Sequence, residues 1–126
     1  MNKTLIATLN WNDYQRTKRC INSLEKVLEK NISVIIIDNN SKNFEYNKLC
    51  KLIKKKTSSY EEISYSSFFK KQKKLKYKKF YLLKIPFNSG CTGGFNFAYK
   101  FAIMNNFDFI SRIDNDCTVQ KNYLSK

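Results

Sequence analysis

Apolar and polar positions alternate along the chain in blocks that predict an α/β protein. Residues 4 to 10 form a short apolar run broken by threonine, ending in Asn10-Trp11-Asn12-Asp13, a cluster of turn and helix-capping residues. This predicts a buried strand feeding a helix. Tyr14, Thr17, Ile21, Leu24 and Leu28 then recur at alternating steps of three and four, with Lys18, Arg19 and Lys26 off that face, so the helix is expected to reach about Lys30. Ile32 to Ile37 is nearly continuous in β-branched residues, the composition of a strand covered on both faces of a parallel sheet, and Asp38-Asn39-Asn40-Ser41 halts it. Strand, helix and strand at this spacing make a βαβ unit.

Residues 44 to 56 predict a second helix whose buried side is Leu49, Leu52 and Ile53. From 57 to 79 the pattern breaks. Seven of the ten residues from Lys70 to Lys79 are lysines, whose mutual repulsion predicts an exposed insertion. Phe80 to Ile85 reads as a third strand. After Pro86, the segment Asn88-Ser89-Gly90-Cys91-Thr92-Gly93-Gly94 holds all three glycines of the chain, just ahead of a helical pattern of Phe95, Ala98, Phe101, Ala102 and Asn105. Glycines so concentrated imply backbone that turns sharply or approaches something closely. A fourth strand, 107 to 113, leads into Asp114-Asn115-Asp116. The whole order, β-α-β-α-β-α-β, predicts one domain with a mainly parallel, Rossmann-like sheet flanked by helices.

In such a sheet ligands sit beyond the carboxyl ends of the strands. All four polar clusters fall at such ends: Asn10 to Asp13, Asp38 to Ser41, Asn88 to Gly94 and Asp114 to Asp116. Each alone is ordinary turn chemistry; together they can form one crevice. If the backbone stays extended through Asn115, the carboxylates of Asp114 and Asp116 project to one side and can share Mg²⁺ or Mn²⁺ with a diphosphate. Asp38 is placed either to accept hydrogen bonds from a nucleoside or to cap a helix. The glycines can admit a phosphate or sugar to backbone N–H groups and a helix N-terminus. The segment is neither a Walker A loop nor a GxGxxG fingerprint, which argues against a nucleotide hydrolase.

Composition sharpens this picture only in places. The net charge of +14 comes from 21 Lys and three Arg, and recognition of phosphates or bases by planar bidentate contacts favours Arg. Lys, Asn, Ile, Phe and Tyr are abundant together, a bias that AT-rich codons would produce, so the charge is weak support for nucleic-acid binding. It can still hold a protein to an anionic membrane leaflet. Four scattered cysteines and no histidine make a poor zinc set. No run reaches the roughly 20 apolar residues of a membrane span. The expectation is a cytoplasmic protein, soluble or peripheral at the inner face of the plasma membrane.

The motifs, in order, resemble the N-terminal, donor-binding half of an inverting family 2 glycosyltransferase of the GT-A fold. They are Asn10-Trp11-Asn12, Ser23-Leu24, Ile37-Asp38-Asn39-Asn40-Ser41, the Asn88 to Asn96 segment and Asp114-Asn115-Asp116. The subgroup most alike is the rhamnosyltransferase-like or galactofuranosyltransferase-like enzymes of bacterial surface polysaccharide synthesis. The resemblance implies transfer of a sugar from a UDP, dTDP or GDP sugar to a saccharide or lipid-linked acceptor. It implies base contact by Asp38, a donor pocket lined by Asn10, Asn12, Asn88, Gly90, Gly93, Gly94, Asn96 and Asp114, and a divalent cation held by Asp114 and Asp116. In the family the catalytic base lies well beyond D-x-D, whereas ten residues follow Asp116; the base is expected downstream of Lys126 and the chain is expected to be a truncated piece, a gene fragment or a half that relies on another chain. Competing expectations are a basic module that binds polyanions or an anionic membrane, and a nonfunctional remnant. An unpaired last strand predicts self-association.

Overall fold

The computed structural model describes residues 2–70 and 76–124. Five strands, β1 (Thr4–Asn10), β2 (Ile32–Asn39), β3 (Tyr60–Ser64), β4 (Phe80–Ile85) and β5 (Phe109–Arg112), form one sheet in the order β3-β4-β2-β1-β5. Every neighbouring pair is parallel. Helices α1 (Tyr14–Glu25), α2 (Asn43–Lys56), α3 (Tyr65–Lys70) and α4 (Gly90–Met104) connect them. The fold is the expected α/β class, a Rossmann-like parallel sheet covered by helices on both faces.

The two-residue period of the strands sorts the core. Ile35 and Ile37 of β2 join Leu5, Ala7, Tyr81 and Leu83 under α4, while Val34 and Ile36 join Ile6, Phe80 and Leu82 under α1 and α2. All eight residues of β2 are buried, as the unbroken β-branched run requires. At roughly 1.5–3 kcal/mol for each fully buried large aliphatic side chain, these central strands supply much of the driving force for folding.

Two boundaries differ from the periodicity. Helix α1 stops at Glu25, five residues short of Lys30. Its last turn tightens as Val27 N–H bonds to Leu24 C=O at 2.9 Å, yet Leu28 still packs half-buried on the same core. Within the segment expected to be a plain exposed insertion, residues 60–64 add a parallel edge strand to β4 and residues 65–70 add a helix. Ile63 and Phe68 are the anchors: each is buried, and Phe68 meets Phe97 edge-on at 6.0 Å. The alternation of Tyr60, Glu62 and Ser64 with Glu61 and Ile63 is too polar to announce a strand. Residues 71–75 of the lysine-rich stretch lie outside the described residues.

The topology fixes where a ligand can sit. From β1 the chain steps through α1 to β2 on one side, whereas β5 lies on the other side of β1 and is reached over the opposite face through α4. The strand order reverses between β1 and β5, and loops at their carboxyl ends diverge there to leave a crevice.

Candidate functional site

Strand register brings the first two clusters together. Asn10 is the register partner of Asp38, and both side chains fall on the α1 face. Asn10 Nδ2 donates to Asp38 Oδ1 at 2.9 Å, while its Oδ1 accepts from Thr17 Oγ1 of α1 at 2.6 Å. Asp38 also accepts from Ser41 Oγ at 2.6 Å and, through Oδ2, from Ser41 N–H at 3.0 Å. Ser41 Oγ in turn accepts from Asn12 N–H at 2.8 Å, and Asn12 Oδ1 accepts from Lys42 N–H at 2.7 Å. Asn12 and Asn40 take left-handed backbone, φ 47° and 65°, a conformation asparagine tolerates better than most residues. The result is a closed network that fastens the β1–α1 loop to the β2–α2 loop.

In this network two residues expected to meet the donor bond within their own chain. Asn10 and Asp38 are fully buried, and the Asp38 carboxylate is saturated by donors from its own chain, so in this conformation neither side chain is open to a base. Nor does Asp38 cap α2, whose N-cap position is Lys42. Both residues shape the mouth of the crevice, where Trp11, Asn12 and Asn40 are exposed.

The glycine segment forms the first turns of α4 rather than a loop ahead of it. Asn39, which points to the α4 face, pins it: its Oδ1 accepts from Ser89 N–H at 3.2 Å and from Ser89 Oγ at 2.5 Å, and its Nδ2 donates to Gly90 C=O at 3.0 Å. Asn88 Oδ1 accepts from Gly90 N–H at 2.9 Å. Gly90 provides the turn, with φ 71°. Gly94 provides the close approach, since a Cβ there would stand 2.7 Å from Leu9 Cδ2. Gly93 is half-buried against Ser89, while Asn88 and Asn96 are exposed.

The acidic cluster also departs from the extended geometry. Strand pairing persists as far as Ile113, whose N–H bonds to Ala7 C=O at 2.9 Å, but Cys117 N–H then bonds to Asp114 C=O at 3.0 Å and closes a turn. Asp114 and Asp116 are exposed on this turn, and the alternation of an extended strand does not apply to them. Asn115 holds the turn in place, donating through Nδ2 to Thr17 Oγ1 at 3.0 Å and Asp13 Oδ2 at 3.2 Å. Asp13 thus occupies the N-cap position of α1 without capping it; its side chain reaches across the crevice instead. Thr17, bonded to both Asn10 and Asn115, links the β1 and β5 ends.

Among the described residues no group of three or more His, Cys, Asp or Glu side chains gathers as a ready cation cage. Two exposed carboxylates at the sheet's carboxyl edge are nonetheless hard oxygen donors of the kind Mg²⁺ or Mn²⁺ takes when waters and a substrate diphosphate complete its shell.

Sequence reasoning passed over Thr17, Asn39, Ser41, Asn115 and Arg112. Arg112 ends β5 on the α4 side, its guanidinium 4.1 Å above the Phe95 ring and 3.6 Å from Cys91 Sγ. One arginine at the end of a short strand carries little signal, but Asn39, Ser41 and Asn115 lie inside the quoted motifs. Burial pushes the Cys20 thiol up to about 11. That thiol, 4.0 Å from Asp114 C=O, stays protonated at neutral pH and supplies no nucleophile.

A parallel Rossmann-like sheet with polar clusters gathered at its switch point and two exposed carboxylates on the adjoining turn defines a GT-A type α/β domain. Residues 5–126 match the family model described as glycosyl transferase family 2, and the chain belongs to that family. Its fold is similar to that of S. aureus TarS. A structure of TarS residues 1–349 superposes with a TM-score of 0.61 at 16% identity, covering 98% of this chain and 30% of that one. A second TarS structure gives a TM-score of 0.59 at 16% identity, covering 94% of this chain and 17% of that one. The chain therefore spans less than a third of the length of these solved structures. No curated protein matches it by sequence.

Proposed function

We propose that this chain is the donor-binding half of an inverting glycosyltransferase, which takes a sugar from a nucleoside-diphosphate sugar for transfer to an acceptor hydroxyl. The acceptor is a saccharide or lipid-linked saccharide of bacterial cell-surface polysaccharide or lipooligosaccharide synthesis, as in the rhamnosyltransferase-like or galactofuranosyltransferase-like subgroup. The observation that carries the reading is the convergence of all four polar clusters at the carboxyl ends of β1, β2, β4 and β5, in a chain that belongs to glycosyl transferase family 2.

The proposal divides the site by exposure. Asn12, Asn88, Gly90, Asn96 and Asp114 face the donor; Asn10, Asp38 and Gly94 act as positioning residues that set the loops carrying them. Gly93 opens the backbone of the first α4 turns, whose N–H groups and dipole favour a phosphate. Asp114 and Asp116 would hold Mg²⁺ or Mn²⁺, which when bound neutralises charge that builds on the departing nucleoside diphosphate. The residue that takes the acceptor proton is left unassigned among these residues.

Titration calorimetry of UDP, dTDP and GDP into the purified chain, with and without Mn²⁺ and alongside Asp116→Asn, tests the reading. One nucleotide is expected to bind, with metal, and only to the parent sequence. A folded chain that binds none of them, or binds equally well as Asp116→Asn, overturns it.

A further inference from the structure

A second concavity of the described molecule runs along two paired helices. It is an open groove of about 600 Å³ between α1 and α2, on the face opposite α4. Its walls carry Lys18, Lys48, Lys51, Lys55 and Lys56 against one acidic side chain, Glu25. Glu25 is taken by Lys56 and Lys48 stands 4.0 Å from Glu45, while Lys18, Lys51 and Lys55 have no acidic partner among the described ion pairs. The groove thus carries positive charge that the fold does not neutralise.

Aromatic side chains stand at one end of it. Tyr14 N–H bonds to Glu45 Oε2 at 3.2 Å, setting the first turns of α1 and α2 side by side. Phe44 is 57% exposed on the first turn of α2. Lys48 lies 5.6 Å from the Phe44 ring and 5.9 Å from that of Tyr14.

We infer that the α1–α2 face docks on an anionic phospholipid bilayer, the lysines meeting headgroup phosphates while Phe44 enters the interfacial layer. Charge complementarity selects this partner. Lysine is a mobile point charge that suits a fluid array of phosphates, whereas the planar forks that read nucleic acid are arginines. An exposed aromatic beside lysines matches the depth profile of a headgroup layer. Among the described residues no helix is long and apolar enough to cross a membrane, so attachment here is to the surface. The inference stands independently of the donor-site reading.

The test is co-flotation of the whole chain with phosphatidylcholine vesicles, with and without about one-third phosphatidylglycerol, at low and high salt. Binding is expected only with phosphatidylglycerol, and high salt should reverse it. Each lysine near an anionic surface contributes roughly a fivefold factor, so Lys18→Gln/Lys51→Gln/Lys55→Gln should weaken binding on the order of a hundredfold without lowering the melting temperature. Phe44→Ala should weaken it severalfold without changing its salt dependence. A control with equal charge loss elsewhere, Lys76→Gln/Lys78→Gln/Lys79→Gln, should retain binding. Equal binding to neutral vesicles, or none to either, overturns the inference, as does an equal loss in the control triple. Displacement from vesicles by inorganic phosphate at millimolar concentration would point to a free-phosphate site, and displacement by a short single-stranded oligonucleotide to a nucleic-acid site; either refutes bilayer docking.

Discussion

Replacing Asp38 by Asn exchanges one carboxylate oxygen of a buried side chain for an NH₂ group, and the hydrogen-bond geometry says what that does. The carboxylate receives three hydrogen bonds, from Asn10 Nδ2, Ser41 Oγ and Ser41 N–H, and has no exposed surface. An asparagine supplies one acceptor oxygen and one NH₂ donor. With the oxygen kept toward Asn10, the NH₂ faces the Ser41 N–H at 3.0 Å. In the other orientation it faces Asn10 Nδ2 and a Ser41 oxygen that already accepts from Asn12 N–H. Either way a buried donor loses its partner. That loss costs about 1–3 kcal/mol and the remaining bonds lose their charge assistance, so about 2–4 kcal/mol in all is expected. For a domain of this size the melting temperature should fall on the order of 10 °C in a thermal circular-dichroism scan. Ser41→Ala should lower it less, and the double variant should fall short of the sum by more than about 0.5 kcal/mol, because the two residues share their partners. An Asp38→Asn protein that melts within about 2 °C of the parent would refute the fastening role.

Five further outcomes follow from the same structure. Asn115→Ala removes both bonds that tie the acidic turn to α1; it should weaken metal-dependent nucleotide binding severalfold in calorimetry while costing less than about 1 kcal/mol of stability. Gly94→Val should destabilise by about 1–3 kcal/mol in urea titration, because Leu9 Cδ2 would stand 2.7 Å from the new Cβ. Gly90→Asn should cost less, on the order of 1 kcal/mol, since nothing lies within 4 Å of a Cβ there and only the strain of the φ of 71° remains, which asparagine bears better than most residues. The Cys20 thiol is raised by burial from 9.0 to about 11. A raised acid stabilises the folded state fully below its unfolded value, so stability should hold to about pH 9 and decline as pH rises toward 11; Cys50, Tyr46 and Tyr81, also raised by burial, add in the same direction. Thiol alkylation of the native protein at pH 8 should mark Cys91 and Cys117, which are exposed, and spare Cys20 and Cys50.

Much of this fold is legible in the sequence because its central strands obey a rule that needs no neighbours. Ile32 to Ile37 must be covered on both faces whatever lies beside it, and the step pattern of α1 locates Thr17, Ile21 and Leu24 of its buried stripe, missing only Cys20. Strand β3 was not legible for the converse reason. Only Ile63 of its five residues is buried, and what recruits it is the free edge of β4, a partner that no local pattern declares. The end of α1 was misplaced because Leu28 packs on the core from outside the helix, so periodicity outlasts helical backbone.

The site shows a different limit. Asparagine, aspartate and serine at strand ends serve equally to bind a ligand and to bind one another, and the same atoms do both. Which use prevails depends on who stands opposite. Asn10 and Asp38 are register partners, so their side chains meet and close on Ser41, whereas Asn12, one turn further out with φ 47°, is left at the surface. On β2 the next residue, Asn39, points to the other face and fastens the start of α4 by the same chemistry. A pair of adjacent residues thus locks two loops on opposite faces of one strand. The alternation of the strand therefore gives the motif its spacing: shifting Asp38 and Asn39 by a single position would exchange their faces and unfasten both loops at once.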